Sequence, residues 1–229
     1  MTDFSAAIDK RVSTWLELRR KIKRKEVKDN RLRKTITISR EFGCEGYPLA
    51  KILKSKLDRS TGHSWVIFDE DAIETVSSEK VLSAKLPADL GDQGRYLDAI
   101  LETPHPAWKT EEAYYASIAR TIFTLAQDGH AILLGRGAFA ITKNLQNCYH
   151  FRLIASEDFR TRCYADRNEV SISEATQSVR AREEARAEFL RRFLDTEFSL
   201  YNFHLIFNDD KISTDQIADT IVHLIDRSD

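Results

Sequence analysis

Residues 35–53 read TITISREFGCEGYPLAKIL, and the order of elements in this stretch is the main basis for predicting the fold. The β-branched run at 35–39 is typical of a short buried strand. After a loop that contains Gly43 and Gly46, residues 48–59 place their leucines and an isoleucine on one face of a helix that a proline opens. A strand, a glycine-containing loop and a helix form the kind of turn in which backbone N–H groups bind phosphate oxygens, although two glycines can also simply make a tight turn.

The rest of the chain repeats the alternation of strand and helix. Further strands are predicted at 65–68, 131–135, 149–154 and 203–208. Helices are predicted at 69–84, 111–127, 157–167, 174–196 and 214–226, with Ser156 and Ser173 as two of their N-caps. Strands separated by helices form parallel βαβ units, so we expect a three-layer α/β fold with a five-stranded parallel sheet. Its ligands should bind beyond the carboxyl ends of the strands, which places 40–46, Asp69 and 135–137 along one rim.

Residues 1–34 form a basic extension ahead of a single domain at 35–229. They contain twelve Lys or Arg residues and five acidic residues, whereas the whole chain has a net charge of −1. Apolar residues at helical spacing predict an amphipathic helix within 6–28. A solvated helix that packs on the body or forms a homodimer with a second copy is the favoured interpretation, and nucleic acid is the less favoured partner.

Composition excludes several other classes of protein. No run of 18 apolar residues is present, so we expect no membrane span, and the first residues do not resemble a secretory signal. Cys44, Cys148 and Cys163 lack metal-ligand spacing and fit a cytoplasmic protein. Three of the four prolines fall within 85–110, where we predict a mobile loop.

The loop sequence SREFGCEGYPLAKIL resembles that of the cytidylate kinase-like family, which is related to the P-loop nucleoside monophosphate kinases. Later segments are similar in the same order: GHAILLGRGAFAI, FRLIASEDFRTR, ATQSVRAREEARAEFLRRFL and YNFHLIFNDDKIS. In the third of these, Glu183 and Arg186 match the acid and arginine of the family's lid. The resemblance covers about 35–227 and implies a P-loop NTPase-type fold, with lid helices at 170–196 and an acceptor-side loop at 85–110.

The resemblance also implies a reaction, the transfer of a phosphoryl group from ATP, with Mg²⁺, to a cytidylate-like nucleoside monophosphate or a related small acceptor. Such transfer depends on positioning and on positive charge around the moving group. The implied catalytic residues are Arg182, Arg186 and Asp69, and Arg136 and Gly137 would bind the acceptor. The nucleotide phosphates would be held by the loop, formed by Arg40, Glu41, Phe42, Gly43, Cys44, Glu45, Gly46 and Tyr47.

Several positions depart from cytidylate kinase and keep other functions open. Gly46 and Tyr47 stand where that enzyme carries the loop lysine and a Mg²⁺-binding hydroxyl, Glu45 adds a negative charge to the loop, and Gly137 replaces an aspartate. The alternatives are a catalytically impaired, nucleotide-binding regulatory protein, and a scaffold whose basic N-terminal helix binds a partner. For single residues, the alternatives are an acid-paired Arg136, a plain N-cap at Asp69 and a solvated helix around Arg182 and Arg186.

Overall fold

Five strands form one fully parallel sheet in the computed structural model, which describes residues 33–78, 109–193 and 199–228. The order across the sheet is β2-β3-β1-β4-β5. The strands are β1 (Thr35–Arg40), β2 (Val66–Phe68), β3 (Ala131–Leu134), β4 (Cys148–Ile154) and β5 (Leu205–Asn208). In the register of the sheet, Thr35 lies opposite both Ala131 and Cys148. The predicted five-stranded parallel α/β fold is therefore confirmed.

Seven helices connect or follow these strands in the described part of the chain. They are α1 (Gly46–Thr61), α2 (Glu70–Ser78), α3 (Lys109–Asp128), α4 (Ala138–Ile141), α5 (Glu157–Asn168), α6 (Ile172–Phe193) and α7 (Thr214–Arg227). A 3₁₀ turn, Leu200–Asn202, precedes β5 and shortens that strand relative to its prediction. The sequence pattern missed α4, because a four-residue helix is too short for an apolar period to develop.

One predicted helix cap is wrong. Helix α6 begins at Ile172, two residues before its predicted start, so Ser173 lies inside it. Ser171 is the capping residue: its hydroxyl accepts the Glu174 N–H at 3.3 Å, and the Glu174 carboxylate accepts the Ser171 N–H at 3.1 Å. This reciprocal capping box explains the earlier start. The predicted cap at Ser156 is confirmed, because its side chain accepts the Phe159 N–H.

The sheet lies between two layers of helices. One face packs against α1 and α7, through residues such as Ile36, Ile38 and Phe151. The other face packs against α2, α3 and α4, and Phe189 and Leu190 of α6 pack on the edge of that cluster. On this second face, the two central strands carry buried polar side chains, namely Thr35, Thr37, His150 and Arg152. A polar floor under one helical layer is unusual for a parallel sheet and marks the face that carries the site.

Two predicted segments lie wholly or largely outside the described residues: the N-terminal helix within 6–28 and the loop at 85–110, of which only Lys109 and Thr110 are described, as the start of α3. Both remain predictions. Among the helices that can be described, none has the length and apolar character needed to cross a bilayer.

Candidate active site

A cavity of about 340 Å³ opens at the carboxyl ends of β1 and β3, which is where parallel sheets bind ligands. Two sides of it differ in chemistry. The arginine side is defined by Arg40, Arg136, Arg182 and Arg186, and the aromatic side by Tyr115, Phe139 and Phe189. The structure therefore brings together six of the predicted site residues, because Phe42 and Gly137 line the cavity as well as the four arginines.

The loop between β1 and α1 reaches this cavity through close backbone contacts that need glycine. Gly43 has a φ of +100°, and a Cβ atom there would lie 2.6 Å from the carbonyl oxygen of Arg160 in α5. Gly135, at the end of β3, has a φ of +83°, and a Cβ there would lie 2.4 Å from Nη1 of Arg40. Both positions have a backbone conformation that favours glycine. At Gly43 the close neighbour is backbone and leaves no room for a side chain, whereas at Gly135 it is the flexible end of the Arg40 side chain.

Two N–H groups of this loop already bind carboxylates of the protein. The Phe42 N–H donates to Oε2 of Glu183 in α6 at 2.6 Å, and the Glu45 N–H donates to Oδ2 of Asp209 at 2.7 Å. A carboxylate oxygen on a backbone N–H has the same chemistry as a phosphate oxygen there. The loop thus has the donor geometry of an anion site, and in this conformation the chain's own acids are the anions.

Helix α6 is docked on the loop through side chains within little more than one helical turn, 182–186. Besides the Glu183 contact, Nη1 of Arg186 donates to the carbonyl oxygen of Arg40 at 2.5 Å. The guanidinium groups of Arg182 and Arg186 lie 5.1 and 5.8 Å from the centre of the Phe42 ring, within the range of a cation–π contact. The predicted lid segment is a helix that contacts the predicted phosphate loop directly.

Arg40 lies near two acids of the rim, Glu70 and Asp69, without contacting either. No hydrogen bond or ion pair joins its guanidinium group to the rest of the described chain. Burial, and then the charge of Arg186, lower the pKa of Arg40 to about 10, while Glu70 and Asp69 act in the opposite direction. A positive charge held away from water without a partner acid is costly, and an anionic ligand in the cavity would remove that cost.

Arg136 differs from Arg40, because acids of α2 hold it. Its guanidinium group is ion-paired with both Glu70 and Glu74, and Glu74 also accepts the Tyr114 hydroxyl at 2.7 Å. Its Nε is nevertheless buried without a hydrogen-bond partner among the described residues. The next residue, Gly137, adopts the left-handed conformation that starts α4. Arg136 therefore has the acid-paired arrangement named above as its alternative, while still lining the cavity.

Asp69 caps the helix that follows it. Its Oδ1 accepts the Ala72 N–H at 3.1 Å, at the first turn of α2. Among the described residues, no group of three or more His, Cys, Asp or Glu side chains could hold a metal ion. A Mg²⁺ ion at this site would depend on phosphate oxygens for most of its ligands, as is usual for nucleotide-bound Mg²⁺.

The remaining loop residues serve mainly to hold the loop in place. Glu41 accepts the Ala155 N–H at 3.0 Å and lies near Arg160, and Glu45 is ion-paired with Arg167. The Cys44 thiol is buried, which raises its pKa to about 12 and keeps it protonated. The remaining two residues, Gly46 and Tyr47, begin α1, and Tyr47 lies partly exposed beneath the ammonium group of Lys51.

Sequence reasoning missed the aromatic side of the cavity and two side chains that hold the loop. Asp209 binds the loop from the end of β5, Arg160 supports the loop from α5, and Phe189 forms part of the aromatic side. The first two lie inside segments that carry the family resemblance, FRLIASEDFRTR and YNFHLIFNDDKIS. Their position in those segments was the available signal, but their contacts are between residues more than 100 positions apart in sequence.

The strand–loop–helix at the end of β1, the parallel strand order and the cavity above it define a P-loop NTPase-type α/β fold. The chain belongs to the cytidylate kinase-like family, whose model matches residues 35–211. Among solved structures it is similar to an uncharacterized protein from Eubacterium ventriosum, at 16% identity and a TM-score of 0.63, with 85% of this chain and 98% of that chain covered.

A second similar structure is shikimate kinase from Bacteroides thetaiotaomicron. It has 13% identity and a TM-score of 0.48, with 84% of this chain and 98% of that chain covered. Comparison with curated proteins gives no match.

Proposed function

We propose that this protein is a phosphotransferase that uses ATP to phosphorylate a small anionic acceptor, a cytidylate-like nucleoside monophosphate or a related compound. The observation that carries the proposal is the guanidinium group of Arg40, which lines the cavity, contacts no acid in the described chain and lies beside Arg186. Two adjacent arginines in a concave site suit phosphate groups, because guanidinium groups bind phosphate through paired hydrogen bonds.

The loop can bind the nucleotide phosphates only if the hydrogen bond between the Phe42 N–H and Glu183 is broken. Each backbone N–H donates one strong hydrogen bond, so a phosphate oxygen can take the Phe42 N–H only after Glu183 leaves it. Since Glu183 and Arg186 are one turn apart on α6, displacement of the acid also moves the arginine. We infer that this movement brings Arg182 and Arg186 from the Phe42 ring onto the transferring group.

The chain's own contribution to the reaction would then be positioning and positive charge. ATP with Mg²⁺ would supply the phosphoryl group, and Mg²⁺ would neutralise part of its charge. Arg40 would hold one anionic group against the end of β3, and the two lid arginines would stabilise charge on the phosphoryl oxygens and exclude water as α6 closes. Arg136 would take part as an acid-paired side wall beside the acceptor.

The test is ligand binding and turnover measured on the same samples. Thermal shifts would be recorded with ATP, GTP, CMP, dCMP, UMP and AMP, with and without Mg²⁺, followed by an assay for ADP release. We expect a Mg²⁺-dependent shift with ATP, and ADP release when one acceptor is added. Arg182→Ala should reduce turnover by about 10²-fold, whereas Arg191→Ala, on the same helix and outside the cavity, should not.

The hydrogen bonds of the loop to Glu183 and Asp209 favour one second candidate, a nucleotide-binding regulatory protein. In that case the loop would be filled by the chain's own acids whenever nucleotide is absent, and ligand binding would only move α6. The same samples distinguish the two functions. A shift in melting temperature without ADP release for any acceptor would support regulation and contradict the phosphotransferase.

A further inference from the structure

We propose that Arg160 binds a phosphate group of the nucleotide and supplies positive charge that the loop itself lacks. This inference rests on the proposed function, because it assigns a further binding residue of the same site. Residues 41–47 contain two glutamates, Glu41 and Glu45, and no lysine or arginine. Positive charge beside a phosphate in the loop must therefore come from other parts of the chain or from bound Mg²⁺.

One carboxylate oxygen marks the place where an anion fits against the loop. Oε2 of Glu183 accepts the Phe42 N–H at 2.6 Å. The same oxygen lies 3.6 Å from Nη1 of Arg160 and 3.6 Å from Nη1 of Arg186. A backbone N–H and two guanidinium groups thus surround one oxygen atom, and they define the loop subsite. Phosphate oxygens are bound by the same donors.

The two arginines of the loop subsite are held by different parts of the fold. Nε of Arg160 donates to the carbonyl oxygen of Ala155 at 3.2 Å, and its Nη1 donates to the carbonyl oxygen of Phe42, also at 3.2 Å. These acceptors lie at the end of β4 and in the loop itself. Arg186 belongs to α6 and would move with that helix. Arg160 is therefore the cation that stays at the subsite when Glu183 leaves it.

The guanidinium group of Arg160 keeps donors for a ligand. Its two hydrogen bonds use two of five N–H groups. Among the described residues, the acids within 4 Å of it are Glu41 and Glu183. Glu41 lies 3.6 Å from Nε, on the side away from the contact between Nη1 and Glu183, and it also accepts the Ala155 N–H. Departure of Glu183 would leave the Nη1 side for a phosphate oxygen.

A second cavity, of about 310 Å³, gives the loop subsite its own opening. It lies between α5 and α6, and both Arg160 and Glu183 line it. It shares no lining residue with the cavity that contains Arg40 and Arg136. A chain of phosphates could therefore reach the loop subsite from the α5–α6 side while an acceptor occupies the first cavity.

The experiment measures the binding of two ligands to the full-length chain by calorimetry with Mg²⁺. The ligands are ATP and inorganic tripolyphosphate, which has the phosphate chain without the nucleoside. Arg160→Gln removes the charge and keeps an amide donor for the Phe42 carbonyl. It should weaken the binding of both ligands by about tenfold, the usual effect of one hydrogen bond to a charged group. Arg160→Lys keeps the charge, and its loss should be no more than about threefold.

Arg162→Gln is the matched control. Arg162 lies exposed on the same helix, donates to the carbonyl oxygen of Asp158 at 3.3 Å and lines neither cavity. Its substitution should leave both dissociation constants unchanged. The backbone contact between Gly43 and Arg160 is kept in every variant of position 160, so the close packing of α5 on the loop is not altered directly.

The outcomes separate this inference from the proposed function. Equal losses in Arg160→Gln and Arg160→Lys would mean that Arg160 only shapes the loop, and they would overturn the inference. A loss for ATP without a loss for tripolyphosphate would also overturn it, because the arginine would then contact the nucleoside. Unchanged binding and ADP release in Arg160→Gln would overturn it and leave the phosphotransferase standing. Tripolyphosphate binding that depends on Arg160, without ADP release for any acceptor, would support the inference and contradict the phosphotransferase.

Discussion

The loop side and the arginine side of the site lie on the same rim of the sheet and handle charge in opposite ways. On the loop side, the N–H groups of Phe42 and Glu45 are each bound by a carboxylate of the chain. On the arginine side, the guanidinium group of Arg40 contacts no acid in the described chain and lies next to Arg186. The two loop N–H groups are therefore satisfied before any ligand arrives, whereas the guanidinium group of Arg40 is not.

This contrast predicts how the binding free energy of a ligand is divided between the loop side and the arginine side. A phosphate that binds the loop must displace an acid and gains only the difference between two similar hydrogen bonds. An anion that binds at Arg40 displaces no protein group and relieves a buried charge. We therefore expect the arginine side to supply most of the affinity and the loop side to supply the coupling to movement of α6.

The largest expected effect comes from removing the uncompensated charge. Arg40→Met should reduce ADP release by about 10²- to 10³-fold, because one charge-stabilising donor at a reacting phosphate is usually worth that much. The same variant should unfold at an equal or higher temperature, since a buried charge without a partner destabilises the folded state. Activity assays and thermal unfolding would be compared with Arg191→Met. Lost activity together with lost stability would mean that Arg40 has a structural partner instead.

A second variant would break the loop side by steric overlap. Gly43→Ala should lower the free energy of unfolding by about 3 kcal/mol, since the new Cβ would overlap Arg160 and the φ of +100° is strained for alanine. Gly62→Ala is the control, because Gly62 has a φ of +66° with nothing within 4 Å, and its cost should be about 1 kcal/mol. Denaturant unfolding measures both. Equal costs would show that the close contact with α5 is unimportant.

Lowering the pH should lower the free energy of unfolding, because His150 is one of the buried polar side chains of the sheet beneath the arginine side. Burial and the nearby His204 lower the pKa of His150 to about 4, from 6.5. As the pH falls, His150 is therefore protonated in the unfolded chain before it is protonated in the folded one. Its contribution to the free energy of unfolding is complete above pH 6.5 and is lost as the pH falls from 6.5 towards 4, by up to about 3 kcal/mol.

His150→Asn should flatten this dependence, measured as melting temperature between pH 7 and pH 4.5. His223→Asn is the control, because His223 lies on α7 and is not one of the polar residues beneath the cavity, and it should leave the slope as in the natural chain. His130, whose pKa burial also lowers to about 4, is present in both variants and contributes equally to each. An unchanged slope in His150→Asn would contradict a neutral, buried His150.

The smallest expected effect is a change in the affinity for ATP, and it tests the loop side directly. Glu183→Gln should tighten ATP binding about three- to tenfold, because a neutral amide competes less strongly than a carboxylate for the Phe42 N–H. Glu184→Gln, on the next and exposed position of α6, should leave the dissociation constant unchanged. Calorimetry with ATP and Mg²⁺ measures both. Weaker binding in Glu183→Gln would mean that this acid contacts the ligand and does not compete with it.

The sequence predicted the fold well because its apolar periods are local. The five strands, their parallel direction and the position of the loop follow from runs of a few residues each. The family resemblance predicted lid helices at 170–196. What it could not predict is pairing across the chain. Nothing in the neighbourhood of Glu183 indicates that its carboxylate binds a backbone group at Phe42, 141 residues away. Nor does any local pattern distinguish the acid-paired Arg136 from the unpaired Arg40.

Helix boundaries failed for a related reason. Ser171 and Ser173 are both acceptable caps by residue type, and only the reciprocal contact with Glu174 selects the first. Phe42 is a predicted loop residue for which packing was the favoured role, and its ring packs at a tilt against Tyr164 and contacts two arginines of α6. The roles of the loop and lid residues in catalysis therefore remain predictions that the variants above address.

The close approach of Arg40 to Gly135 has a consequence for how this protein can evolve. A Cβ atom at position 135 would lie 2.4 Å from Nη1 of Arg40, so the flexible end of the arginine must shift before any side chain can be placed there. A lineage that gains even alanine at 135 must also give up the arginine or move it, and with it the charge on which ligand binding would depend. Substitutions at these two sites should therefore arise as a pair, and a glycine at 135 should accompany an arginine at 40 wherever the ligand is kept.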